Sequence, residues 1–220
     1  MTAKGKKIVA MSVLLAPFLV MLAFYLSTEP SITPLRRYHP LRVGEKGDTV
    51  YHTIPKTSYE DATGKRIDLG NMGDNAWIGH FFPVPCGDTC QALFKRLQTL
   101  QDAFKPKAHI RLVSLGVPQQ NKGGIDFEAI SDKYAIQPDK WSLIKSQPGK
   151  ALRLARKGFL WEVDDPNALT LQRPYRHQVV MIDRKGIIRG TYNVMDELDL
   201  KKLRNEAVVL LKYNTYGNDR

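Results

Sequence analysis

A continuous apolar run, Trp77-Ile78-Gly79-His80-Phe81-Phe82, leads within eight residues to the two cysteines of the chain, Cys86 and Cys90. A run of this kind, bounded by a turn, is the pattern of a strand buried on both faces. Beyond the cysteines, Leu93, Leu97, Leu100 and Phe104 recur at intervals that line one side of a helix. Asp88 and Thr89 are both suited to cap its start. A buried strand that feeds a helix through a turn holding both thiols restricts the chain to an α/β architecture, because such a strand needs cover on two faces.

The rest of the chain is read in the same way. Residues 50–54 predict a short strand, and Asp61-Ala62-Thr63-Gly64-Lys65 a hairpin turn into a second strand at 67–69. Residues 110–115 predict a strand, followed by a loop rich in Gly, Gln and Pro at 116–124 and a helix over about 125–135. A strand at 141–144 and a helix at 149–157 come next, then a long stretch without period from 159 to 175. Strands at 177–182 and 187–192 flank a hairpin turn, Asp183-Arg184-Lys185-Gly186. A last helix from about Asp196 sets Leu200, Leu203, Ala207 and Leu210 on one face. This order predicts a thioredoxin-like mixed sheet with flanking helices and an N-terminal β-hairpin extension.

The N-terminus carries a different signal. Lys4, Lys6 and Lys7 precede residues 8–26, a run of 19 residues without a charge. As a helix it spans about 28 Å, close to the hydrocarbon thickness of a bilayer. Pro17 within it is tolerated better in lipid than in a soluble helix. We read 1–7 as a cytoplasmic N-terminus, 8–26 as a transmembrane anchor, 27–47 as a proline-containing tether and 48–220 as the folded domain, outside the cytoplasm. The alternative is a cleaved signal peptide; the run exceeds the usual apolar core of one, and no Ala-x-Ala site follows. On the far side of the membrane a cysteine pair meets an oxidising compartment, where it forms a disulfide or is kept reduced by a partner.

The formal net charge is +11, of which the three lysines ahead of the apolar run supply 3. No block of Lys and Arg is interleaved with stacking aromatics, so nucleic acid is not an expected partner. At the mouth of a helix, unpaired N–H groups and the helix dipole favour thiolate over thiol, and thiolate is both nucleophile and metal ligand. Two soft thiolates suit Cu(I), and Zn(II) acceptably. A third ligand would have to come from the five histidines. His39, His52 and His109 are expected at the surface and His80 in the core, which leaves His177, at the head of a strand after the long loop, as an open possibility.

Residues from about 50 to 212 resemble the Sco/SenC family, membrane-anchored thioredoxin-like proteins that deliver copper to cytochrome c oxidase. The resemblance rests on Cys86-Gly87-Asp88-Thr89-Cys90-Gln91 after an apolar strand and on His177-Gln178-Val179-Val180-Met181-Ile182-Asp183-Arg184-Lys185-Gly186. Gly87 and Gln91 stand where the family usually has proline, and 116–124 lacks the family's acidic segment. The resemblance implies copper held by Cys86, Cys90 and His177, a copper acceptor such as a cytochrome c oxidase subunit, a thiol reductant as second partner, and the membrane as the site of attachment. If the chain is bacterial, it implies the inner membrane with the domain in the periplasm. The rival reading is a thiol-disulfide oxidoreductase of the cell envelope in which Cys86 attacks and Cys90 resolves. Whether the chain is an enzyme therefore stays open, as does a purely structural disulfide.

Overall fold

The computed structural model describes residues 3–27, 35–44, 48–119, 126–166 and 175–215. It divides into two compact units, Met1–Thr33 and Pro34–Arg220. The first contains one helix, α1 (Ala3–Ser27), which carries Pro17 inside it. Its described side chains, Met11 and residues 13–25, are exposed. Among the described residues no helix is long and apolar enough to cross a membrane. The uncharged run 8–26 extends past the described side chains at both ends.

The second unit is built on a five-stranded sheet in the order β7-β6-β5-β8-β9. Its centre is β5 (Ala76–Val84), parallel to β6 (Ile110–Pro118), which is in turn parallel to β7 (Trp141–Lys145). On the other side β8 (Gln178–Ile182) runs antiparallel to β5, and β9 (Ile188–Asn193) closes the sheet antiparallel to β8. The period of two along β5 divides its side chains between two cores. Ala76, Ile78, Phe82 and Val84 face one, with α2 (Asp88–Phe104) and α5 (Glu197–Thr215) packed over it. Trp77 and Phe81 face the other, covered by α4 (Pro148–Arg153) and by the hairpin of β3 (Ser58–Glu60) and β4 (Arg66–Asp68). The thioredoxin-like mixed sheet and the N-terminal hairpin expected from the sequence are both present.

Several local expectations are corrected. The stretch read as an extended tether holds a strand, β1 (Pro40–Val43), paired antiparallel with β2 (Thr49–Tyr51). Within the same stretch, Tyr38 N–H donates to Ile188 O (3.2 Å) and Arg189 Nη2 donates to Leu35 O (2.5 Å). The bonds to Ile188 and Arg189 span about 150 residues, so proline spacing concealed them. The strand expected over 50–54 stops at Tyr51. The helix expected over 149–157 is α-helical only to Arg153 and continues as a π-helical turn, Leu154–Gly158. A further helix, α3 (Phe127–Lys133), is shorter than its pattern suggested. Of the loop at 116–124, residues 116–118 belong to β6 and 120–125 lie outside the described residues.

Candidate redox and metal site

The sheet delivers both cysteines to one corner. β5 ends at Val84, a cis peptide links Val84 to Pro85, and α2 begins at Asp88. The helix is capped by Gly87 in extended conformation, with no side-chain cap bond, and not by Asp88 or Thr89 as expected. The first backbone bond of the helix runs from Gln91 N–H to Gly87 O (3.0 Å). A proline at 91 would remove this donor, so Gln91 is consistent with a regular first turn here.

Cys86 and Cys90 form a disulfide with a Cα–Cα distance of 5.3 Å. Their environments differ. Cys90 is 3% exposed and belongs to the core beneath α2 with Leu93, Phe94 and Leu97, whereas Cys86 is half-buried against its edge. An incoming sulfur can therefore reach Cys86, while Cys90 is reachable only from within the protein. The N-terminus of α2 lies beside both, and its dipole favours the thiolates that reduction would release.

His177 lies at the same end of the sheet as the sulfurs. It ends a 3₁₀ turn, Tyr175–His177, so that the expected strand starts one residue later, at Gln178. The β5–β8 register pairs Trp77 with Ile182 and Gly79 with Val180, and its continuation sets His177 level with Phe82, four residues before Cys86. His177 O accepts from Val194 N–H (3.1 Å). Tyr175, at the start of the turn, stacks on Trp161 with centroids 5.0 Å apart and donates its hydroxyl to Glu162 O (2.6 Å). Among the described residues, no group of three or more His, Cys, Asp or Glu side chains is disposed to hold a metal ion. The donor chemistry fits copper only once the disulfide is reduced.

The other histidines behave largely as expected. His39 and His109 are exposed. His52 is half-buried, with Nε2 2.9 Å from Gly158 O. His80 is 1% exposed under α2, where burial lowers its pKa to about 4.

Sequence reasoning missed one part of the corner. A groove of about 270 Å³ opens beside Cys86, between the end of β5 and α3. Lys133 of α3 reaches across to α2, its Nζ donating to Gln91 Oε1 (3.0 Å). Tyr134 forms part of the wall, and its hydroxyl is buried with no hydrogen-bond partner among the described residues. Burial raises the pKa of that hydroxyl. The departure from proline at 91 was the one visible signal of this side of the site.

No protein-family model and no curated protein matches the chain. Solved structures do. BsSco, a member of the Sco family of cytochrome c oxidase assembly proteins in which a disulfide switch has been identified, is 18% identical, with a TM-score of 0.58 over 75% of this chain and 94% of its own. A SCO1/SenC family lipoprotein from Bacillus anthracis is 16% identical, with a TM-score of 0.58 over 72% and 95%. A thioredoxin family thiol:disulfide interchange protein from Chlorobium tepidum is 14% identical, with a TM-score of 0.51 over 73% and 96%. The fold is thus one that Sco proteins and thiol:disulfide interchange proteins share, and this chain is similar to both.

Proposed function

We propose that this chain is a Sco-like protein whose Cys86–Cys90 pair cycles between disulfide and dithiol, and whose dithiol form takes up copper as cargo for an acceptor such as a cytochrome c oxidase subunit. The observation that carries the reading is the asymmetric pair: a half-exposed sulfur and a buried one joined at the mouth of α2. The likeness in fold to BsSco supports the copper part, and the uncharged run 8–26 within α1 supports attachment to a membrane.

Thiol exchange follows from the geometry. In the reduced protein, Cys86 thiolate attacks one sulfur of an acceptor disulfide. A Cys86–acceptor disulfide forms, and the displaced acceptor thiolate takes up a proton. Cys90 thiolate then attacks Cys86, forming the bond seen here and releasing the second acceptor thiolate. Two electrons pass to the acceptor, and a dithiol reductant protein must restore the pair. The same two thiolates are soft donors that suit Cu(I), and His177 is the proposed third ligand. Ligand exchange to acceptor thiolates then hands the ion on. Binding requires deprotonated sulfurs and a neutral imidazole, so affinity falls in acid.

The test is titration of the reduced full-length chain, in detergent, with Cu(I) against a competing chelator. Cys86→Ser is expected to lose tight binding, and His177→Ala to weaken it at least about tenfold, or about 1.4 kcal/mol. A Cys86→Ser protein that binds as tightly as the parent removes the copper reading. The second reading, an oxidoreductase without a copper role, is supported by the Cys86–Cys90 disulfide and the likeness in fold to a thiol:disulfide interchange protein. Turnover of a protein disulfide that persists in His177→Ala and is indifferent to copper would establish it.

A further inference from the structure

We propose that the groove beside Cys86 docks an extended segment of the acceptor protein and takes an apolar side chain adjacent to the acceptor's reactive cysteine. This rests on the reading of Cys86 as the attacking sulfur.

Val84, Pro85 and Cys86 form one side of the groove, and Ala129, Ile130 and Tyr134 form the other. Because Cys86 is part of the wall, a chain joined to its sulfur has the groove within reach of its neighbouring residues. The two charged groups at the rim are already engaged: Lys133 donates to Gln91, and Asp126 caps α3 by accepting from Ala129 N–H (2.9 Å). What remains for a ligand is apolar wall, to which Tyr134, 3% exposed and with its hydroxyl buried, contributes.

The groove is also built rather than incidental. Buried Gln101 of α2 donates to Ala135 O (3.0 Å) and accepts from Gln137 N–H (2.8 Å), which pins the chain just after α3. At about 270 Å³ the groove lies below the roughly 300–1,000 Å³ of small-molecule sites, and suits one or two side chains. A second copy of this chain is a poor occupant, since a net charge of +11 opposes self-association.

The experiment uses the full-length Cys90→Ser protein, reduced and in detergent. It is mixed with one of two peptides whose single cysteine carries a nitrothiobenzoate disulfide, with either leucine or glycine beside the cysteine. Cys86 thiolate attacks the peptide sulfur, the Cys86–peptide disulfide forms, and the coloured nitrothiobenzoate thiolate leaves and is measured. The leucine peptide is expected to react about tenfold faster, the ratio that half-burying a leucine side chain supplies. Ala129→Trp, which fills the groove from an exposed helix position, should bring the ratio below about two. Ile130→Ala, which removes a wall, should lower it to about threefold and serves if the tryptophan variant does not fold.

A ratio under about two in the Cys90→Ser protein, or one unchanged in the filled groove, overturns the proposal. A leucine rate that falls as protein concentration rises, together with a dimer, assigns the groove to a second copy and overturns it as well. If neither peptide labels Cys86, it is the attacking role of Cys86 that fails, and the proposal falls with it.

Discussion

Acid should destabilise this fold through one residue, His80. It sits in the middle of β5, 1% exposed, between the sheet and α2. Trp141 Nε1–H donates to Ser114 Oγ (2.7 Å), the Ser114 hydroxyl bonds His80 Nε2, and His80 Nδ1 lies 3.3 Å from Phe81 O. A neutral imidazole protonated at Nδ1 satisfies this chain: it donates to Phe81 O and accepts from Ser114. Protonating Nε2 would turn the serine into acceptor for both neighbours and leave its own proton without one. Burial is the larger cause and lowers the pKa from 6.5 to about 4, against the opposing effect of the hydrogen bond to Phe81 O. The unfolded chain thus binds a proton near pH 6.5 that the folded protein refuses until about pH 4. Stability is full above the unfolded value and drops through this window by about 1.4 kcal/mol per pH unit, a total of about 3 kcal/mol. That is a large part of the roughly 5–15 kcal/mol that holds a domain folded.

The assay is urea unfolding followed by the fluorescence of Trp77, Trp141 and Trp161, repeated between about pH 7.5 and 4.5. Carboxylates contribute to the same trend, so the comparison is with His80→Gln, which keeps an amide for Ser114 but does not titrate. The two proteins differ in absolute stability; the slope is what matters. The parent should lose about 2–3 kcal/mol more than the variant across the window. Parallel stability curves would refute the assignment of a buried, neutral His80.

Burial and pairing lead to further outcomes. In the reduced native protein, iodoacetamide should label Cys86 and spare Cys90, with both labelled in denaturant, as read by peptide mass; equal labelling in the native state contradicts the 3% exposure of Cys90. Arg189→Met should cost about 3–5 kcal/mol by urea unfolding, since it strips Asp183 Oδ2 of its buried partner at 2.9 Å and frees Leu35 O. Arg96→Ala should cost under about 1 kcal/mol, because its ion pair with Glu197 is solvent-exposed. Adding Asp183→Asn to Arg189→Met should recover part of the larger loss.

The sequence by itself determined the elements whose burial is periodic. Trp77 to Phe82 is apolar without a break because β5 is covered on both faces, and Leu93, Leu97, Leu100 and Phe104 mark the buried side of α2. Each is a local pattern imposed by a single neighbour or layer, so it can be seen without knowing the partner. The pairing of Cys86 with Cys90 was within reach for the same reason: four residues across a helix start leave two sulfurs little choice of direction.

Only the tertiary structure decided what depends on residues far apart in sequence. The division of labour between a half-buried Cys86 and a buried Cys90 comes from the core under α2, not from their spacing. His177 is brought to the level of Phe82 by strand register, at the end of a turn whose first residue, Tyr175, stacks on Trp161, 14 residues earlier. Lys133, Tyr134 and Gln101 frame the groove beside Cys86 through contacts spanning more than 30 residues, for which no local propensity exists. Periodicity records which way a side chain faces, while a site depends on which distant side chains the fold sets beside it.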